Sequence, residues 1–209
     1  MDDVKPRWLQ WAREIQALAQ TGLHYAQNSF EETRARRLIE IAAEIVAHHS
    51  ELGQSEVMLA FQAQPGYVTP KVDVRAAVFH GGQLLFVREA MDGDWTLPGG
   101  WADVGEPPGL AVEREVVEEA GLQVRAQRIV GVYDANRIEG VLTLYHAYKI
   151  VFLCERQAGE LATSAETTDS RFFDLNALPE QLSIHRTTAR YINDAIAIYR
   201  DPTLPVYFD

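Results

Sequence analysis

Apolar residues fall at helical spacing through the first 61 positions and at strand spacing from about position 71 onward, and that change of period divides the chain. Trp8, Trp11, Ala12, Ile15, Leu18 and Ala19 trace one helical stripe, which ends at the breaker Thr21-Gly22. Ser29 followed three residues later by Glu32 has the pattern of a capping box, in which each side chain satisfies the other's free backbone N–H. It predicts a second helix with the stripe Ala35, Leu38, Ile39, Ala42, Ile45 and Val46. A third, shorter helix is expected over Val57 to Phe61. Residues 62–70, QAQPGYVTP, hold two prolines and a glycine and read as a linker. A helical domain of residues 1–61 has little core of its own, so its stripes are expected to pack on the larger domain or on a second subunit.

Within residues 71–209, strands are expected at Val72 to Phe79 and Leu84 to Arg88 around a His80-Gly81-Gly82-Gln83 turn, since Gly-Gly between two apolar runs signals a hairpin. A short strand at Trp95 to Leu97 and a helix from about Pro107 follow. Further strands are predicted at Val124 to Tyr133, Leu142 to Cys154 and Arg171 to Phe173, then a final helix over Thr188 to Tyr199. Strands and helices mix without a regular βαβ repeat, which points to the α+β class with a mixed sheet flanked by helices.

Composition narrows the function classes. The 209 residues are 47% hydrophobic and 23% charged, the band of ordinary globular proteins. Nineteen basic against 30 acidic side chains give a net charge of −11, which argues against a large basic face for nucleic acid or anionic lipid. The helical leader alone carries six Lys/Arg against nine acids, a net of −3, a poor composition for a phosphate-tracking helix. The single Cys154 forms no intramolecular disulfide, and amid Ile150 to Leu153 it reads as a buried small hydrophobe. Apolar runs are far shorter than the roughly 20 residues of a membrane span, and the charged start does not resemble a secretory signal. A cytoplasmic location is expected.

The informative segment is GWADVGEPPGLAVEREVVEEAGL, Gly100 to Leu122. Glu106 and Pro107 suit a helix start, where missing N–H partners do no harm, and Gly121 suits a left-handed cap. At about 100° per residue, Glu115, Glu118 and Glu119 share one arc, while Leu110, Val112, Val116, Val117 and Ala120 are expected on a core side opposite. Three carboxylates at spacings of three and four repel one another, and Arg114 alone cannot balance them. Hard oxygen ligands clustered this way suit Mg²⁺ or Mn²⁺. On spacing alone, a solvated acidic face and a metal site both remain open.

This segment resembles the signature of the Nudix hydrolases: a glycine, five residues, a glutamate, seven residues, then R-E-U-x-E-E-x-G-U with U aliphatic. Gly100, Glu106, Arg114, Glu115, Val116, Glu118, Glu119, Gly121 and Leu122 all match, a coincidence on the order of 10⁻⁷ at average residue usage. Trp95-Thr96-Leu97-Pro98-Gly99 resembles the usual entry into that signature. The resemblance implies an α/β/α sandwich with a mixed sheet, and cleavage of a nucleoside diphosphate linked to another group. It also implies Glu115 and Glu119 as the main metal ligands, Glu118 as a further ligand or the residue that activates water, Arg114 as an orienter and the Gly99 carbonyl as a backbone ligand. The helical leader, followed by Thr69 to Arg75, is similar to a subfamily acting on CDP-choline and ADP-ribose, which implies a pyrophosphatase yielding a nucleoside monophosphate and a phosphorylated cap.

Other candidates are less tied to a motif. Arg75 and Arg88 suit phosphate clamps, because a guanidinium offers fixed paired donors; a surface ion pair is the alternative. His146 and Lys149 lie an odd number of residues apart, hence on opposite faces of a strand, so at most one faces the site. Glu166, in the loop TSAETTDS, is a candidate metal ligand or general base. Tyr25 is a candidate for stacking on a base, while Trp8 and Trp11 read as helix anchors. For the cap, Tyr25, Trp101 and Tyr133 would suit a quaternary ammonium, and Asp73, Asn136 and Arg137 a terminal ribose. Two other functions share the sequence features: a non-catalytic nucleotide sensor and an RNA-directed hydrolase. The expected partners are a small nucleotide and a second copy of the chain, with no membrane and no nucleic acid.

Overall fold

The computed structural model describes residues 5–63, 66–138 and 144–209, and the chain divides into two units, Met1–Pro70 with Leu142–His146 and Lys71–Val141 with Ala147–Asp209. Three helices build the first: α1 (Arg7–His24), α2 (Ser29–His49) and α3 (Gln54–Gln62). Alanines at the contact let α1 and α2 approach closely. Ala12 and Ala19 of α1 share a core with Ile39, Ala42, Ala43 and Val46 of α2 and with Val57 and Phe61 of α3. Of two buried amides on α1, Gln16 donates its Nε2 to Oε1 of Gln20. Trp8 stacks on His49 with ring centroids 5.0 Å apart.

Two details of this unit differ from expectation. The cap of α2 sits one residue earlier, with Asn28 accepting from the Glu31 N–H at 3.0 Å and the Glu31 carboxylate accepting from the Gln27 N–H at 2.8 Å. Asn at the cap is as good an acceptor as Ser, and the acid three residues on reaches past it to the N–H of the preceding residue, a variant of the box. Trp11, Leu18 and Leu38, assigned to the core stripes, are exposed instead. A core shared by only three helices buries too narrow an arc to cover them.

The second unit carries a seven-stranded mixed sheet in the order β3-β2-β1-β5-β4-β7, with β6 on β2. Its strands are β1 (Lys71–His80), β2 (Gln83–Glu89), β3 (Trp95–Thr96), β4 (Leu122–Asp134), β5 (Ala147–Gly159), β6 (Thr167–Asp174) and β7 (Tyr207–Phe208). Gly81 and Gly82, both at positive φ (58° and 79°), make the turn between β1 and β2 that right-handed strand twist prefers. At the centre, β1 runs parallel to β5 and sets Asp73 beside Lys149. Central strand β1 is buried on both faces, as its apolar run requires. Val74, Ala76 and Val78 pack under helix α4 (Pro108–Ala120), and Ala77 and Phe79 under helix α5 (Ala189–Arg200).

β5 begins at Ala147, after the expected Leu142; Leu142 itself lies outside the described residues, and Leu144 to His146 belong to the helical unit. The C-terminal strand β7 carried no sequence signal. Among the described residues, no helix is long and apolar enough to cross a membrane.

Candidate functional site

Residues 98–102 run along β1 and form the floor of the site. The Ala76 N–H donates to the Pro98 carbonyl and the Val74 N–H to the Gly100 carbonyl, both at 2.8 Å, and the Ala102 N–H donates to the Val72 carbonyl at 3.0 Å. This path needs two glycines. Gly99 sits at φ +143°, where an added Cβ would lie 2.0 Å from the Val74 carbonyl oxygen; at Gly100 it would lie 2.9 Å from Glu115 Oε2. Backbone therefore comes directly against the carboxylates of α4, and the Gly99 N–H donates to Glu119 Oε2 at 2.8 Å.

Helix α4 starts after Pro107 and ends at Gly121, whose left-handed conformation (φ 71°) returns its N–H to the Val117 carbonyl. Its buried residues are Ala111, Val112, Glu115, Val116, Glu119 and Ala120, so two of the three glutamates lie on the core side. Leu110 and Val117, expected there, are half exposed. The rotation is set by the Gly99–Gly100 segment, which gives Glu115 and Glu119 a polar wall to face. Glu119 is 3% exposed and Glu115 8%, whereas Glu118 is exposed.

Arg114 is the hub of the outer side. Its guanidinium reaches Glu106 Oε2 at 3.0 Å, Glu115 Oε1 at 3.0 Å and Glu118 Oε2 at 2.8 Å. Glu106, which the sequence marked only as part of the signature and helix start, is thus a member of the cluster. Its carboxyl is held below the usual range by the hydrogen bond from Arg114. Burial raises the Glu115 pKa against the attraction of Arg114. Burial likewise pushes Glu119 up to about 7, opposed by Arg75 and the Gly99 N–H.

Below these carboxylates lies a buried ionic network. Arg75, expected to clamp phosphate, is 2% exposed, and its Nε and Nη2 donate to the two Asp73 oxygens at 2.9 and 2.8 Å while Nη1 donates to the Leu97 carbonyl at 3.3 Å. Lys149 Nζ lies 3.2 Å from Asp73 Oδ2. Asp73, expected at the substrate, is therefore enclosed between two cations, because β1 is central and buried on both faces. What Arg75 supplies to the carboxylates is its field. Arg88 is exposed, its Nε donating to the Gly93 carbonyl at 2.6 Å.

Glu166 reaches the same region from the loop before β6. Its carbonyl accepts from the Ala90 N–H at 2.8 Å, and its side chain is exposed. Glu89, at the end of β2, is buried beside Arg186, with Nε 3.2 Å from Oε1; the continuous apolar run of β2 carries no signal that marks it. Tyr25 and His146 belong to the helical unit, where Tyr25 is exposed with its ring edge-on to His24. On the α5 side of the sheet, a cavity of about 660 Å³ is lined by Tyr133, Arg137, Glu180, Arg190, Tyr191 and Asp209 among others.

Among the described residues, no three His, Cys, Asp or Glu side chains converge closely enough to hold a metal as they stand. The donor chemistry nevertheless suits a hard divalent cation. Two glutamates are buried at a cost in charge, and no hydrogen bond to the Gly99 carbonyl occurs among the described residues. Arg114 now occupies the oxygens that face outward.

A model of the NUDIX domain matches residues 69–194, and a model described as the UDP-X-like N-terminal oligomerisation domain matches residues 6–61. The chain belongs to the Nudix family. Along its full length, and along all of the relative's, it is 35% identical to the Bacillus subtilis protein named "Putative ADP-ribose pyrophosphatase YjhB". An ADP-ribose pyrophosphatase structure from Streptococcus suis is 38% identical with a TM-score of 0.61, covering 68% of this chain and 100% of that one. A structure of a UDP-X diphosphatase is 29% identical with a TM-score of 0.63, covering 97% and 98% of the two chains. This Nudix chain is a pyrophosphohydrolase of mixed α+β fold, and Nudix hydrolases generally use divalent metal ions. A non-catalytic sensor is set aside.

Proposed function

We propose that this Nudix enzyme hydrolyses a nucleoside diphosphate linked to a small group, with ADP-ribose first and CDP-choline second, to a nucleoside monophosphate and the phosphorylated group. The observation that carries this reading is the burial of Glu115 and Glu119 against the Gly99–Gly100 backbone, with Arg114 binding the remaining carboxylates. Similarity to proteins named ADP-ribose pyrophosphatases orders the two substrates. The exposed ring of Trp101, next to Gly100, keeps CDP-choline in play, since an aromatic face suits a quaternary ammonium.

Glu115, Glu119, Glu118 and the Gly99 carbonyl would hold Mg²⁺ or Mn²⁺. Bound there, the ion neutralises pyrophosphate charge and lowers the pKa of the attacking water. Arg114 orients the glutamates, the Gly99 N–H fixes one oxygen of Glu119, and Glu118 or Glu166 takes the proton of water at a carboxylate oxygen. Product analysis by phosphorus NMR with Mg²⁺ tests the reading. AMP and ribose 5-phosphate from ADP-ribose, or CMP and phosphocholine from CDP-choline, are expected; pyrophosphate released from nucleoside triphosphates as the fastest reaction would overturn it.

The helical unit joins two copies of the chain in this reading. Trp11, Leu18 and Tyr25 recur every seven residues along α1 and its cap, all exposed, and Phe30 and Leu38 of α2 are exposed as well. A repeat of seven presents one face of a helix, and a bare apolar face of this kind marks an interface. Leu18→Glu is expected to turn a dimer into a monomer in sedimentation velocity at micromolar protein. A native chain that sediments as a monomer, or a variant that remains dimeric, would refute this assembly.

A further inference from the structure

Glu89 is pinned into the site from the sheet. Its N–H donates to the Asp94 carbonyl at 3.0 Å, the next N–H, of Ala90, donates to the Glu166 carbonyl at 2.8 Å, and its Cα pairs with Thr167 of β6. Thr167 in turn donates its hydroxyl to the Glu119 carbonyl at 2.7 Å. One buried residue therefore links the backbones of Glu89 and Glu119. The ladder is irregular between Arg88 and Glu89, and such bulges re-aim a side chain beside active sites. Arg88 is exposed; Glu89 is 2% exposed.

The Glu89 carboxylate is incompletely satisfied. Oε1 is fully buried and accepts no hydrogen bond among the described residues. Arg186 Nε stands 3.2 Å away, but off the line that a hydrogen bond needs. A buried carboxylate oxygen left in that condition is costly, and a carboxylate kept merely to anchor Arg186 would be expected to accept its N–H in line. Burial raises the Glu89 pKa, Arg186 and Arg75 draw it back, and Asp92 and Glu166 push it further; Glu119 feels Glu89 as a repulsive neighbour.

We propose that Glu89 is a further ligand for the divalent cation, reaching the site from strand β2 and lying outside the signature helix. The proposal rests on the reading of Glu115 and Glu119 as cation ligands. It gives the orphaned oxygen a partner and brings the loop of Glu166 into register with the helix through one strand end.

Mn²⁺ titration of the full chain, with the free ion followed by electron paramagnetic resonance, tests this without substrate. Glu89→Gln is expected to weaken Mn²⁺ affinity by about 10-fold or more, at least the loss seen when even an outer partner of a metal ligand is removed, or to bind one ion fewer. Arg186→Gln, which removes the ion pair and keeps the carboxylate, is expected to bind Mn²⁺ as the native protein does or more tightly. If Glu89→Gln does not fold, Glu89→Asp is measured and should weaken binding in the same direction. Native affinity and stoichiometry in the folded Glu89 variant would overturn the proposal, as would an equal loss in Arg186→Gln. Should the native protein bind Mn²⁺ and Glu119→Gln lose it while Glu89→Gln does not, this inference fails alone. A native protein that binds no Mn²⁺ removes the underlying reading as well.

Discussion

Replacing Glu119 by glutamine is expected to lower kcat by about 10²-fold or more, the scale of losing a main electrostatic contributor in an active site, with the fold retained. Glutamine keeps the shape and one oxygen that can still accept from the Gly99 N–H, whose bond to Oε2 is 2.8 Å. What it removes is the charge. Because burial already holds the Glu119 carboxyl up at about 7, the ionised form is costly in the protein alone, and that cost makes sense where a cation is to be bound. Glu115→Gln should be nearly as severe. Far-ultraviolet circular dichroism and a melting curve would separate loss of turnover from loss of fold. Near-native rates in both variants at saturating Mg²⁺ would end the assignment of α4 as the catalytic helix.

Asp73→Asn is expected to cost about 3 to 5 kcal/mol of stability, the range for breaking a buried ion pair by removing one partner. The Asp73 carboxylate contacts both Arg75 and Lys149, and without it two cations remain in the interior. The reciprocal change should be milder: Lys149→Met leaves Asp73 with its paired bonds to Arg75. The sign with pH follows from Lys149, whose pKa burial lowers from 10.5 to about 8. A lysine with a depressed folded pKa binds fewer protons folded than unfolded, so stability rises with pH between those two values. Losing Asp73 depresses the folded value further. The deficit of Asp73→Asn should therefore shrink as pH rises toward about 8, where native Lys149 begins to lose its own proton. Urea denaturation across that range measures it, and a deficit that grows with pH would contradict the network.

The glutamate helix and the buried ion network differ in how far the sequence reveals them. Glu115, Glu118 and Glu119 lie in one helix, so their spacing fixes their relative directions before any tertiary contact forms. Spacing does not fix the absolute rotation of that helix, which leaves Leu110 and Val117 half exposed and not in the core. The wall that turns Glu115 and Glu119 inward is backbone from residues 99 and 100, which hydrophobic patterning does not register. Asp73 and Lys149 meet because β1 runs parallel to β5. No local signal pairs residues so far apart in the chain, so Asp73 and Arg75 read as two polar positions on a strand open to substrate. Glu106 stood in the signature from the start, yet its bond to Arg114 depends on the turn before α4. In the helical unit, Asn28 and Ser29 are adjacent and nearly equivalent caps, and Glu31 and Glu32 follow each at the same interval, so the sequence offered two registers and the fold took the first.

The short bond from the Gly99 N–H to Glu119 gives the site a native reporter. Glycine amide nitrogens resonate apart from those of other residues, and a proton held against an ionised carboxylate shifts to low field. Gly99 follows Pro98, so pairing ¹³C-carbonyl proline with ¹⁵N-glycine narrows its signal to the three Pro-Gly steps of the chain. The charge on one buried carboxylate can then be followed in solution through a backbone resonance, before any substrate has been chosen and without altering a single side chain.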